Sequence, residues 1–129
     1  MRYMGIDYGK KRIGVALSDE SGAIAFPEVV LLASDTAPHD IASLVKERSV
    51  GAIVLGESLT YMNEPNTVMP AIERFKDSLA QLVDVPLVYQ PEQMSSVAAG
   101  RFQGKHEKSD ASAAAIILQW YLDRTDRTI

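Results

Sequence analysis

The chain has 129 residues, 47% of them hydrophobic and 23% charged, proportions expected of a soluble globular protein able to bury a core of its own. It contains no cysteine, which excludes a disulfide framework, a thiolate metal site and a cysteine nucleophile. A formal net charge of −4 argues against a protein that coats nucleic acid along its length, because such binding rests on neutralising phosphates. It leaves room for a local basic rim, since local potential steers a substrate more than the total does.

No apolar run approaches the roughly 18 residues of a membrane span, and the opening Met1-Arg2-Tyr3-Met4-Gly5-Ile6 lacks the apolar stretch of a signal peptide. The expected compartment is the cytoplasm, with no membrane partner. No repeat, low-complexity tract or linker divides the sequence, so residues 1–129 are expected to form one domain.

The first strand runs from Arg2 to Asp7, with Met4 and Ile6 on one face and Tyr3, Gly5 and Asp7 on the other. A turn at Tyr8-Gly9-Lys10-Lys11 leads to a second strand, in which Ile13, Val15 and Leu17 alternate with Gly14, Ala16 and Ser18. Their closeness suggests a hairpin. After a turn at Asp19-Glu20-Ser21-Gly22 comes a third strand, Ile24 to Leu32, which Pro27 assigns to a sheet edge.

The period then changes. Ile41, Leu44 and Val45 have helical spacing, with Pro38 in the first turn. Ala52-Ile53-Val54-Leu55 is a short apolar strand of the kind buried on both faces. A loop is expected over Gly56 to Asn66, then a helix burying Ile72, Phe75, Leu79 and Leu82, with Thr67 as its cap and Pro70 in its first turn. Pro86 to Tyr89 is the fifth strand. A polar loop and a strong helix from about Ser109 to Asp123 close the chain, with Trp120 or its surroundings in the core. The order β-β-β-α-β-α-β-α predicts three antiparallel meander strands, parallel strands added by βα units, and helices on both faces of one mixed sheet.

Three acids stand out. Asp7 ends the first strand near Gly5, Gly9 and Gly14, where bare backbone admits a ligand, although a turn-forming aspartate explains it as well. Glu92 falls just past the fifth strand, where open sheets place ligand sites; an exposed loop glutamate is the alternative. Asp110 shares a stripe with Ala114, Ile117 and Tyr121 and so points inward, unless it is a simple cap. An inward carboxylate needs a partner, which a metal would supply. Hard oxygen donors favour Mg²⁺ or Mn²⁺ over zinc, and two ions roughly 3.5–4 Å apart can activate water and stabilise the leaving oxygen of a phosphodiester. Lys11 and Arg12 are candidate phosphate contacts, equally readable as a solvated charged turn. Arg101, Lys105 and Lys108 form a second candidate rim that reads more readily as solvated loop; Ser95, Ser96 and Asn66 are further candidates that capping explains. His39 and His106 lack metal-ligand spacing.

The segment Asp7-Tyr8-Gly9-Lys10-Lys11-Arg12-Ile13-Gly14-Val15-Ala16 resembles the D-x-G-x-K-R-I-G-V-A signature of the bacterial YqgF/RuvX-type proteins. Asp110-Ala111-Ser112-Ala113-Ala114-Ala115-Ile116-Ile117-Leu118-Gln119 resembles that family's D-x-x-A-A-x-I-L-Q ending. The resemblance spans essentially the whole chain. It implies an RNase H-like fold with a catalytic, metal-binding carboxylate triad carried by Asp7, Glu92 and Asp110, and an activity on branched DNA or on the 5′ end of pre-16S rRNA, RNA being favoured. The middle departs from the family. Where it has D-E-R-x-T-T, this chain has Pro91-Glu92-Gln93-Met94-Ser95-Ser96; where it has G-x-P, the chain has Gly56-Glu57-Ser58; and the basic loop before the last helix is shortened.

Two further readings accompany the nuclease. An Asp-x-Gly strand and hairpin also opens sugar-kinase and actin-like phosphoryl transferases, but those need a second lobe that 129 residues do not supply. A catalytically silent nucleic-acid-binding module of the same fold is the other. A homodimer is the base expectation for the assembly.

Overall fold

The computed structural model describes residues 1–60, 62, 64–94, 107–127 and 129; for 93, 94 and 107–110 it describes the backbone alone. Five strands, β1 (Arg2–Tyr8), β2 (Arg12–Ser18), β3 (Ala25–Leu32), β4 (Val50–Thr60) and β5 (Leu87–Met94), form one sheet in the order β3-β2-β1-β4-β5. The β1–β2 and β2–β3 pairs are antiparallel, and the β1–β4 and β4–β5 pairs are parallel. Helices α1 (Ala37–Glu47) and α2 (Met69–Ala80) cover one face, and α3 (Glu107–Leu122) covers the other. The expected α/β arrangement, a mixed sheet with helices on both faces, is the one observed.

Strand alternation assigns the two cores. Met4, Ile6, Ile13, Val15, Leu17, Ile53 and Leu55 point to α1 and α2, where Ile41, Val45, Ile72, Phe75 and Leu79 meet them. Tyr3, Ala16, Ala52 and Val54 point to α3 and pack against Ala114, Ile117, Leu118 and Tyr121. This second face is floored by small residues, so the helix comes very close. A Cβ built on Gly5 would lie 2.6 Å from Leu118 Cβ and 2.9 Å from the Ala114 carbonyl oxygen. Gly5 is required by that approach, not by its backbone angles.

Polar side chains fasten the ends. Gln119 on α3 accepts a bond from the Ala25 amide at 2.9 Å and donates to the Ala23 carbonyl at 3.0 Å, tying the helix to the start of β3. The Ser18 hydroxyl accepts the Tyr3 amide at 2.8 Å where the β1–β2 ladder ends. Asp19 organises the turn into β3, accepting the Ala23 and Ile24 amides at 2.8 and 2.9 Å as well as the Ser21 hydroxyl. These bonds to the charged form hold its carboxyl far below the usual carboxylate range.

Several expectations need correction. The segment after Leu55 is not a loop from Gly56: β4 continues to Thr60 because β5 also runs on, and Gly56, Glu57, Ser58, Leu59 and Thr60 pair with Gln90, Pro91, Glu92, Gln93 and Met94. Polar composition suggested a loop, and tertiary strand pairing overrides it. Pro91 is accommodated because β5 is an edge strand. Thr67 does not cap α2; Val68 occupies the cap position without a side-chain bond, and the Asn66 carboxamide oxygen accepts the Thr67 amide at 2.7 Å. Leu82 lies beyond α2 and is 38% exposed, and Trp120, on the outer side of α3, is 45% exposed. Neither belongs to the core.

Gly5→Ala should fold with β1 and α3 pushed apart, at a cost of about 1–3 kcal/mol, read as a lower urea midpoint at unchanged slope. Asp19→Ala should lower the melting temperature at neutral pH. Because the folded-state pKa of Asp19 is depressed, its contribution is present above the ordinary carboxylate pKa and lost as pH falls through the depressed value. The gap between wild type and variant should therefore narrow on acidification.

Candidate active site

Asp7 sits at the C-terminal end of β1, opposite Gly14 of β2. Tyr3 packs against α3 and Gly5 lies under Ala114 and Leu118, so alternation brings Asp7 onto the α3 face one pleat further on. It is half-buried. Its neighbour Gly14 adds no side chain and is buried.

Glu92 reaches the same face from the other direction. Val88 on β5 packs into the α3 core, so Gln90 and Glu92 follow on that side. The register puts Glu92 beside Ser58, two residues beyond Gly56, yet its carboxylate leans back over Gly56. A Cβ built on Gly56 would be 3.4 Å from Glu92 Oε2, 3.0 Å from the Ile117 δ-methyl and 3.6 Å from the Ile6 carbonyl oxygen. With Ile6 paired to Leu55 across β1 and β4, Gly56 is the bare backbone between the strand of Asp7 and the strand of Glu92. Burial raises the Glu92 pKa above the ordinary carboxylate value, with no offsetting cation among the described residues. Glu92 was expected just past β5; it lies within the strand, for the pairing reason given above.

Helix α3 carries the third acid. Tyr121 meets Tyr3 with ring centroids 6.1 Å apart, while Ala114 and Leu118 lie over Gly5. Moving up β1 therefore means moving back along α3, and the backbone of Asp110 belongs to the Asp7 end of the sheet. Ala114, Ile117 and Tyr121, the rest of the stripe, are all buried. The Asp110 side chain lies outside the described residues. Among the described residues no three acidic or histidine side chains form a metal-holding group. Asp7 and Glu92 offer hard carboxylate oxygens, and the Gly56 gap leaves room beside one of them. That donor chemistry suits Mg²⁺ or Mn²⁺.

Of the basic candidates, Lys11 is exposed in the β1–β2 turn and Arg12 is exposed at the start of β2. Ile13 points to the α1–α2 core, so Arg12 shares the α3 face with Asp7. Ser95, Arg101 and Lys105 lie outside the described residues, as do Ser96 and His106. His39 is exposed on α1. A cleft of about 240 Å³ on the opposite face, bordered by Tyr8, Ser34, Asp35, Arg74 and Phe75, contains none of the three acids. The sequence places Gly56 in a loop, at the glycine of the family's G-x-P, whereas the structure puts it in β4. Its parity with Ala52 and Val54 was the available signal.

The sequence matches the family described as "RuvX: Holliday junction resolvase" over residues 1–124. A "Putative pre-16S rRNA nuclease" of Chloroflexus aggregans is 39% identical, the alignment covering 93% of this chain and 92% of the relative. The fold is similar to Thermus thermophilus RuvC, with a TM-score of 0.61 at 13% identity, covering 95% of this chain and 94% of that one. The same enzyme in complex with a Holliday junction substrate gives 0.59 at 16% identity, with the same coverage. RuvC-like architecture, relatedness along nearly the whole chain and a family match from the first residue agree: the chain belongs to the RuvX family, with an RNase H-like fold.

Proposed function

We propose that the protein is a metal-dependent endonuclease that hydrolyses phosphodiester bonds in structured nucleic acid, and that its substrate is the 5′ region of pre-16S rRNA. The observation that carries this reading is that Asp7 and Glu92 stand on the same sheet face, on the two strands flanking β4, with Glu92 Oε2 3.4 Å from the point where a Cβ on Gly56 would stand. The name of the Chloroflexus relative supports the RNA substrate. The junction bound to the Thermus enzyme makes branched DNA the alternative to test.

In this reading Asp7, Glu92 and Asp110 hold Mg²⁺ or Mn²⁺. The bound metal supplies an activated water and charge stabilisation at the phosphate. The protein's part is to orient the ligands. Strand β1 fixes Asp7 through the hairpin to β2, edge strand β5 holds Glu92 over Gly56, and α3 brings Asp110 to the same end. Lys11 and Arg12, beside Asp7, contact flanking phosphates; Ser95, Arg101 and Lys105 are proposed for the same role. Glu92 fits metal binding physically, because a carboxylate whose charge is disfavoured by burial gains most from a cation.

Purified protein with Mg²⁺ or Mn²⁺ should cleave an RNA carrying the 16S 5′ leader in preference to a four-way DNA junction. Asp7→Asn should reduce cleavage by more than roughly 100-fold, above the usual cost of losing an outer-shell partner. Equal cleavage by Asp7→Asn would refute the assignment, binding without cleavage would favour a silent module, and preferential junction cutting would move the substrate to DNA.

Glu92→Gln should raise the melting temperature of the metal-free protein at neutral pH. The raised folded-state pKa means that the cost of holding the charge grows as pH climbs from the ordinary carboxylate value through the raised one. Below the ordinary value the two proteins should melt alike. With Mn²⁺ present the order should reverse, because only the wild type is stabilised by binding.

A further inference from the structure

We propose that Gly56 is a positioning residue for the site, its lack of a side chain leaving uncovered the Glu92 carboxylate oxygen that faces it. The inference rests on the nuclease reading and adds a residue to it. Glu92 is displaced along β5 from Gly56, its register partner being Ser58. An extended side chain directed away from β1 would carry its carboxylate out beyond the sheet. The observed carboxylate instead occupies the space above Gly56, with Oε2 at 3.4 Å from the point where a Cβ would stand.

That space has three walls of different chemistry. The Ile6 carbonyl oxygen of β1 is 3.6 Å from the same point, and the Ile117 δ-methyl of α3 is 3.0 Å away. A methyl group at position 56 would meet Ile117 most tightly, but the atom met is its terminal δ-methyl rather than backbone, so a shift of a few tenths of an ångström relieves the contact. It would also sit against Glu92 Oε2, cover one carboxylate oxygen and remove room for a cation's remaining ligands between β1 and β5. Residue 56 thus acts through Glu92, and its role differs from that of Gly5, where a Cβ would strike the α3 backbone and Leu118 Cβ. At position 5 glycine serves packing; at position 56 it serves the carboxylate.

The test compares Mn²⁺ affinity by calorimetry and metal-free thermal unfolding for the wild type, Gly56→Ala, Gly56→Ala with Ile117→Val, and Gly51→Ala. Residue 51 is on the same strand, where the three atoms nearest to an added Cβ all belong to the Met1 side chain. Gly56→Ala should melt near the wild type yet bind Mn²⁺ about 10–100-fold more weakly, the range typical of lost outer-shell support. Gly51→Ala should bind normally. Ile117→Val deletes the δ-methyl, so the double variant should regain any lost stability but not the lost affinity. Wild-type affinity in Gly56→Ala, or recovery of affinity on adding Ile117→Val, would overturn the proposal. A wild type whose Mn²⁺ binding is absent, or unaffected by Asp7→Asn, would overturn the nuclease reading together with it.

Discussion

The close seating of α3 on the sheet is the contact on which the rest depends. It is possible because the sheet presents Gly5, Ala16 and Ala52 where larger residues would hold the helix off, while α3 answers with Ala114 between the larger Leu118 and Ile117. Burying Ile117, Leu118 and Tyr121 stabilises the contact by about 1.5–3 kcal/mol for each aliphatic side chain. The Gln119 bonds to the backbone at Ala23 and Ala25 fix its rotation. The same seating sets the backbone of Asp110 toward the end of the sheet face that carries Asp7 on β1, and Glu92 lies on that face over Gly56.

This architecture places Glu92 where water is scarce. Burial disfavours the charged form of Glu92, and a hydrophobic or amide side chain there would make a more stable metal-free fold. Such local destabilisation is a recurrent property of functional sites, where stability and activity oppose one another. Asp19 is the contrasting case. It is an acid of the same chain held by backbone amides in a turn, where its charge is satisfied within the fold and nothing further is called for.

Much of this was legible in the sequence, and the residues that were not share a reason. Period-2 alternation in Met4–Ile6 and Ile13–Leu17 marks the meander strands, and Pro27 marks the edge, because these signals are local. The extension of β4 and β5 was not legible, because Glu57 to Thr60 and Pro91 to Met94 become strands only by pairing with each other. Glu92 was accordingly displaced from a loop into a strand, and Gly56 from a loop to the floor of the site. Trp120 itself is exposed while its neighbours Leu118 and Tyr121 are buried, because the face of α3 that meets the sheet is set by Ala114, Ile117, Leu118 and Tyr121. The proposal for Asp7 rests on motif and strand parity together; neither alone separates it from a turn aspartate.

The most direct test of the proposed metal site is to locate the ion. Mn²⁺ added to isotope-labelled protein broadens the amide resonances nearest to it. Selective broadening at Ile6 to Tyr8, Gly56 and Glu92 at substoichiometric Mn²⁺, absent in Asp7→Asn, is the predicted result. Broadening centred on the Ser34–Asp35–Arg74 cleft of the opposite face, or a pattern unchanged by Asp7→Asn, would contradict it.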